Sequence, residues 1–206
     1  MPEAMRSPTR LARCVLVAFL TSLAVACTDD GKPRAAPAHR AGAAPAAPVP
    51  VRGCKTAAYG DLGRTPVNRA GPIGFVDSWA RSQPVAERRG ARVRPTKVLV
   101  VVDTGTTVTV TVPDAERDQL RLLYAEPIPN FPDGFYAFAD GAVATTFEAC
   151  EAGQSPVGDH RQTQFPGYFL VNEPGCYRLD VSARGLPPDA HADLSLGRPC
   201  ARSDRR

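Results

Sequence analysis

Apolar residues in the second half of the chain recur with period two, the repeat of a strand whose faces differ. The clearest case is residues 107–112, TVTVTV, where Val108, Val110 and Val112 share one face and Thr107, Thr109 and Thr111 the other. Before it, residues 97–102 (KVLVVV) form a continuous β-branched run that ends at Asp103-Thr104-Gly105, a turn signal of the kind that closes a hairpin. The same reasoning predicts strands at 73–76, 120–124, 135–138, 143–150, 167–171, 176–182 and 192–196. Turn residues such as Asp133-Gly134, Asp140-Gly141, Pro174-Gly175 and Pro187-Pro188 separate them. Seven to nine short strands with little helix predict an all-β fold, an antiparallel, Ig-like β-sandwich. The one helical candidate, 78–89, contains Pro84 and is expected to hold at most a turn of helix. Trp79, the single tryptophan, is expected in the core or at its seam.

The N-terminal pattern is of another kind. Arg6, Arg10 and Arg13 stand before residues 14–26, an uncharged apolar run. Thirteen helical residues reach about 20 Å, short of the ~30 Å hydrocarbon core, so the segment reads as an export signal. Ala24-Val25-Ala26 satisfies the small-x-small rule for ordinary cleavage and, with Cys27, resembles a bacterial lipobox, in which the cysteine is acylated and becomes the mature N-terminus. Ala24 stands where that motif usually has Leu. Cysteine arithmetic favours acylation: without Cys14 five cysteines remain, an odd number, and lipidating Cys27 leaves four. The resulting domain expectation is a signal at 1–26, lipidated Cys27 and an Ala/Pro-rich tether at 27–52, one β-sandwich at 53–201 and a basic tail at 202–206. The tether, extended at ~3.1 Å per residue, reaches up to ~70 Å.

The order Gly71-Pro72-Ile73, KVLVVVDTGTTVTVTVP, LRLLY, DGAVATTFEAC, TQFPGYFLV, GCYRLDV and LGRPC resembles a family of uncharacterised exported proteins and lipoproteins of actinobacteria, over roughly residues 54–200. The resemblance implies an all-β fold and supplies no activity and no catalytic residue.

Charge and chemistry narrow the function. Removing residues 1–27 takes away three Arg and one Glu and leaves 22 basic residues against 20 acidic ones, a balance that argues against nucleic-acid binding. The RSDRR tail is read as the only local basic cluster. Cys54, Cys150, Cys176 and Cys200 contain no C-x-x-C pair, so disulfides rather than zinc are expected. Their spacing against the predicted strands suggests Cys150 with Cys176 and Cys54 with Cys200, the latter because domain termini are often close together. Both methionines precede Cys27, so no thioether remains for copper. His160 and His191 stand far apart, and no metal or cofactor is expected. Ser155, Asp159 and His160 share a polar loop with no nucleophile elbow. Asp103, Asp114, Glu126, Asp133, Asp140 and Asp180 fall at turns or on strands, where capping explains them better than glycosidic catalysis does. No catalytic residue is assigned.

Residues 124–138, YAEPIPNFPDGFYAF, crowd aromatics among prolines. Tyr124, Phe131, Phe135 and Tyr136 are the candidate binding surface, because rings on a braced loop lose little entropy on contact. The same rings could instead close the end of the sandwich. The function expected is a membrane-anchored extracytoplasmic lipoprotein, held by a lipid on Cys27, whose non-catalytic domain binds a cell-wall polymer or envelope protein. The alternatives are a secreted form, and a hydrolase or metal-dependent enzyme of unrecognised type. Convergence of His160 or His191 with two acids would favour the enzyme, and an exposed aromatic patch the binder.

Overall fold

The structure, a computed structural model, describes residues 48–58, 67–77, 85–128, 133–154 and 161–200. The described part is all-β and sandwich-like, with 15 strands in four sheets. Every segment expected to be a strand contains one. The number exceeds seven to nine because several strands are two-residue pieces and because polar strands escaped the pattern.

The first layer is a five-stranded sheet in the order β1 (Val51–Arg52), β11 (Ala144–Glu148), β8 (Thr107–Thr111), β14 (Gly175–Ala183) and β15 (His191–Leu196). Its strands alternate: Val108 and Val110, Tyr177, Leu179 and Val181, and Ala192, Leu194 and Leu196 are buried, while the residues between them face outward. That is the signature of a sheet with one face in water.

The second layer reads differently because it is covered on both faces. It joins a four-stranded sheet, β12 (Gln162–Phe165), β7 (Leu99–Asp103), β3 (Ile73–Val76) and β2 (Asn68–Ala70), to a three-stranded one, β6 (Thr96–Lys97), β13 (Tyr168–Val171) and β9 (Leu120–Leu123). The two are continuous. Phe165 pairs with Val100 and, in the same register, Tyr168 with Lys97. The ladder breaks at Pro166, which has no N–H to donate, and Val98 N donates to Gly167 O at 3.3 Å instead. Val100, Val102, Leu120, Leu122, Phe165, Phe169 and Val171 face the first layer in one core. On the outer face Leu123 and Leu170 lie under Val93 and Tyr136, brought by a small sheet of β10 (Tyr136–Ala137), β5 (Arg92–Val93) and β4 (Arg88–Arg89). Double-sided burial is why KVLVVV and LRLLY are nearly continuous apolar runs.

Three expectations need correction. The strands at 97–102 and 107–112 do not form a hairpin: β7 pairs with β12 and β3, β8 with β11 and β14, in opposite layers. Both present valines to one interior, and residues 104–106 carry the chain across it. Gly105, at φ 72°, makes the reversal, and its N–H donates to Cys150 O at 2.9 Å. The strand ladders are antiparallel as expected, with one parallel pair among the described residues, β1 with β11.

The tether also ends earlier than residue 52. Thr146 N donates to Pro50 O at 2.8 Å, and Arg52 is 1% exposed. Its guanidinium donates to Tyr124 O and Thr56 O, each at 3.0 Å, and pairs with Glu126 at 2.9 Å. Desolvation by burial lowers its pKa and Glu126 opposes that. This internal cation fastens β1 to the fold.

The disulfides are Cys54–Cys150 and Cys176–Cys200, which replaces the expected Cys150 to Cys176 and Cys54 to Cys200. The parallel register of Arg52 with Phe147 carries Cys54 alongside Cys150. The opposite register of Cys176 with Ser195, followed by a reversal at Gly197, returns Cys200 over β14. The expected pairing fails on distance. Cys54 lies beside Cys150 at the end of β11 and Cys200 beside Cys176 on β14, with β8 between those strands. At ~4.8 Å per spacing β11 and β14 lie about 10 Å apart, beyond any disulfide.

Candidate functional site

Of the aromatic surface expected at residues 124–138, Tyr124, Phe135 and Tyr136 lie inside the protein. Tyr124 continues the inward positions of Leu120 and Leu122, and its ring packs edge-on against Phe147 at 5.3 Å and Phe169 at 5.8 Å. Its hydroxyl donates to Val98 O at 2.7 Å, and burial pushes the phenol pKa well up. Phe135 and Tyr136 are buried as well, the latter with Val93 on Leu123 and Leu170. Phe131 lies outside the described residues. Tyr124, Phe135 and Tyr136 are therefore core side chains and offer no exposed platform.

The acids weighed for catalysis are each committed to a partner. Asp103 pairs with Arg69 at 3.1 Å, Asp114 with Arg117 at 2.8 Å and Asp180 with Arg178 at 3.5 Å. Glu126 holds Arg52, Asp133 holds Arg92 at 2.8 Å, and the Asp140 carboxylate accepts from Ala137 N at 2.9 Å. His191 is exposed on β15, with Nδ1 3.0 Å from Asp189 O. Among the described residues no three His, Cys, Asp or Glu side chains converge on a point where a metal could sit. Ser155, Asp159, His160, Trp79, Cys27 and the RSDRR tail lie outside the described residues.

Two surface features remain. One is an open cleft of about 640 Å³ where β2 meets β15, lined by Asn68, Asp77, Asp193, Ser195, Arg198 and Cys200 among others. The Asn68 amide donates to Asp193 O, tying the edges of the two layers together. Ser195 Oγ donates to Arg198 O at 2.7 Å, and among the described residues no histidine lines the cleft. These side chains suit hydrogen bonding to a polar ligand.

The other feature is the hairpin of β4 and β5, which the sequence reading had placed at the end of a broken helix. Residues 87–94 read ERRGARVR, a basic cluster besides the RSDRR tail. Arg89 pairs with Arg92 across a two-residue turn begun by Gly90 at φ 63°, the left-handed position such turns require. Val93 points inward, whereas Arg89 and Arg94 place their guanidinium groups over the Phe135 ring, 4.6 Å and 4.9 Å from its centroid. Asp133 binds Arg92 and, at 3.7 Å, Arg89, while Glu87 takes Arg94 at 2.6 Å. The Asp133 carboxyl is held below its ordinary pKa, first by the Phe135 N–H and then by Arg92 and Arg89. The pattern R-R-G-x-R-V-R, two basic strand ends around a glycine, was the signal available. No protein-family model, no curated protein and no solved structure matches this chain.

Proposed function

We propose that the protein is a lipoprotein of the extracytoplasmic face, acylated on Cys27, whose tether reaches to about Pro50 and presents a β-sandwich that binds an envelope polymer or an envelope protein. Cysteine accounting carries this reading. Cys54, Cys150, Cys176 and Cys200 are all consumed in two disulfides, so once a signal containing Cys14 is removed, Cys27 alone has no partner. An acyl thioether is the use of that sulfur that agrees with the small residues before it and the spacer after it. The bridges also fit an oxidising compartment. Two acyl chains on such a cysteine would anchor the protein stably. Binding is favoured over catalysis because the acids are spent on local partners while polar groups stand exposed at the cleft and the arginine hairpin.

Detergent phase separation tests the anchor. The wild type should enter the detergent phase and Cys27→Ala the aqueous phase. Equal recovery of both in the aqueous phase would return Ala24-Val25-Ala26 to ordinary cleavage and the protein to a secreted form. Binding is tested by sedimenting the Cys27→Ala chain with delipidated envelope. The protein is expected in the pellet, and its retention in the supernatant would count against a binding module.

A further inference from the structure

The β4–β5 hairpin concentrates positive charge without dispersing it. Four arginines, Arg88, Arg89, Arg92 and Arg94, face two local acids, Glu87 and Asp133, an excess of two positive charges. Arg92 and Arg94 are held at 2.8 Å and 2.6 Å. Arg89 is held only at 3.7 Å, with its side chain 64% exposed, and Arg88 is exposed with no ion pair among the described residues. Two guanidinium groups lie 4.6 Å and 4.9 Å from the centroid of one buried ring. A cation held over a ring keeps N–H groups for an oxyanion where no carboxylate takes them closely, as at Arg89. Because Phe135 is itself fixed in the fold, the side-chain freedom that gripping an anion normally costs has already been surrendered.

We propose that this hairpin is a recognition element for an acidic polymer carrying phosphate or carboxylate groups in series, with Arg89 supplying oriented donors and Arg88 extending the positive surface round the edge strand. This assignment rests on the reading of the domain as a binding module and names its ligand class. Arg88 and Arg89 are consecutive residues of an edge strand and leave it on opposite faces, so a flexible acidic chain passing over that edge can meet both. An anionic membrane fits less well. The only exposed large hydrophobics among the described residues are Val49 and Val51, on the segment entering β1, so the hairpin has nothing to insert between lipids. Glu87 and Asp133 would also be pressed against a continuous negative sheet.

The test titrates the full chain carrying Cys27→Ala into fluorescently labelled inorganic polyphosphate and polygalacturonate, with neutral dextran and phosphatidylglycerol vesicles in parallel, across a range of NaCl. Both polyanions should bind, dextran should not, and log Kd should rise linearly with log salt as counterions are released. Arg88→Gln and Arg89→Gln should each weaken binding several-fold and lower the salt slope by about one, and Arg178→Gln, on the outer face of the five-stranded sheet, should leave it unchanged. The Arg88 side chain is exposed and makes no ion pair among the described residues, so its variant keeps the test meaningful if Arg89→Gln loosens Phe135. Loss of the polyanion response in the wild type, an unaltered response in both hairpin variants, or binding to vesicles alone overturns the proposal. A chain that ignores both polyanions yet still sediments with delipidated envelope removes this ligand and leaves the binding module standing.

Discussion

Gly167→Ala should destabilise the domain far more than a single methyl suggests. Gly167 lies between β12 and β13, where the long ladder is interrupted. A Cβ there would stand closer than 3.0 Å to Cδ1, Cε1 and Cγ of Tyr124, against the 3.5 to 4.0 Å at which carbons attract. The ring cannot simply withdraw, because Phe147 and Phe169 meet it edge-on and its hydroxyl is tied to Val98 O. Overpacking of this kind costs ~1 to 3 kcal/mol, and stretching the hydroxyl bond adds about 1 kcal/mol. The sum, roughly 2 to 4 kcal/mol, corresponds to a fall in Tm of about 6 to 12 °C for a domain of this size. Gly53→Ala is the control: at φ −95°, with Glu148 Oε2 at 4.0 Å the nearest atom, an added methyl meets no obstacle and should stabilise by ~0.4 to 1 kcal/mol through the unfolded chain. Thermal melts of both variants, and of Gly167→Ala combined with Tyr124→Ala, give the readout. The double variant should lose less than the sum of the singles, since removing the ring removes the clash. Equal melts for Gly53→Ala and Gly167→Ala would refute the packing described and put Tyr124 back on a surface loop.

Tyr136→Ala should cost about 3 kcal/mol by the same measurement, because the ring lies on Val93, Leu123 and Leu170; a change below about 0.5 kcal/mol would place it outside the core. Under mild reduction of the native protein Cys176–Cys200 should open first, since Cys176 is exposed and Cys150 is not; mass mapping of alkylated peptides reads the order, and prior opening of Cys54–Cys150 would contradict it. In the chain-entropy model the bridge across 24 residues contributes ~3.5 kcal/mol and the one across 96 about 4.7, so the second reduction should bring the larger loss. Alkali should unfold the domain: burial first of all raises the phenol pKa values of Tyr124, Tyr136 and Tyr177, so the folded state keeps protons that the unfolded state gives up. That stability is complete below about pH 10 and is lost as pH rises through the folded values; phenolate absorbance rising in step with loss of tertiary signal is expected, and full ionisation of these tyrosines in a still-folded protein would contradict it.

Strand positions were legible because each depends on a few adjacent residues. Alternation at 107–112 reports a face in water, and the continuous run at 97–102 reports a strand covered twice, so even the layer was written locally. Partnership was not, because a turn such as Asp103-Thr104-Gly105 reverses the chain equally well within a sheet or between layers. What decides is the match of Val100 and Val102 to Val108 and Val110 across a shared interior, a relation among distant residues. The disulfides failed for the same reason, since β8 stands between β11 and β14 and separates Cys150 from Cys176. Strand β12 was missed because QTQF spends one inward position on Thr163, whose hydroxyl accepts from Cys150 N at 2.8 Å.

The functional surface was harder to read because burial of a ring and exposure of a ring leave the same letters. Tyr124, Phe135 and Tyr136 were chosen for their proline-rich neighbourhood, yet each sits where strand alternation or a neighbouring element turns it inward. Phe135 shows how the two readings connect. It is buried, but part of its cover is the pair Arg89 and Arg94, so the aromatic residue reaches the surface through the guanidinium groups it orients. An aromatic segment and a basic segment some 40 residues apart thus form one feature, which neither segment announces alone. The residues to seek in such a sequence are therefore the arginines flanking a short glycine turn, together with the ring on which the fold sets them.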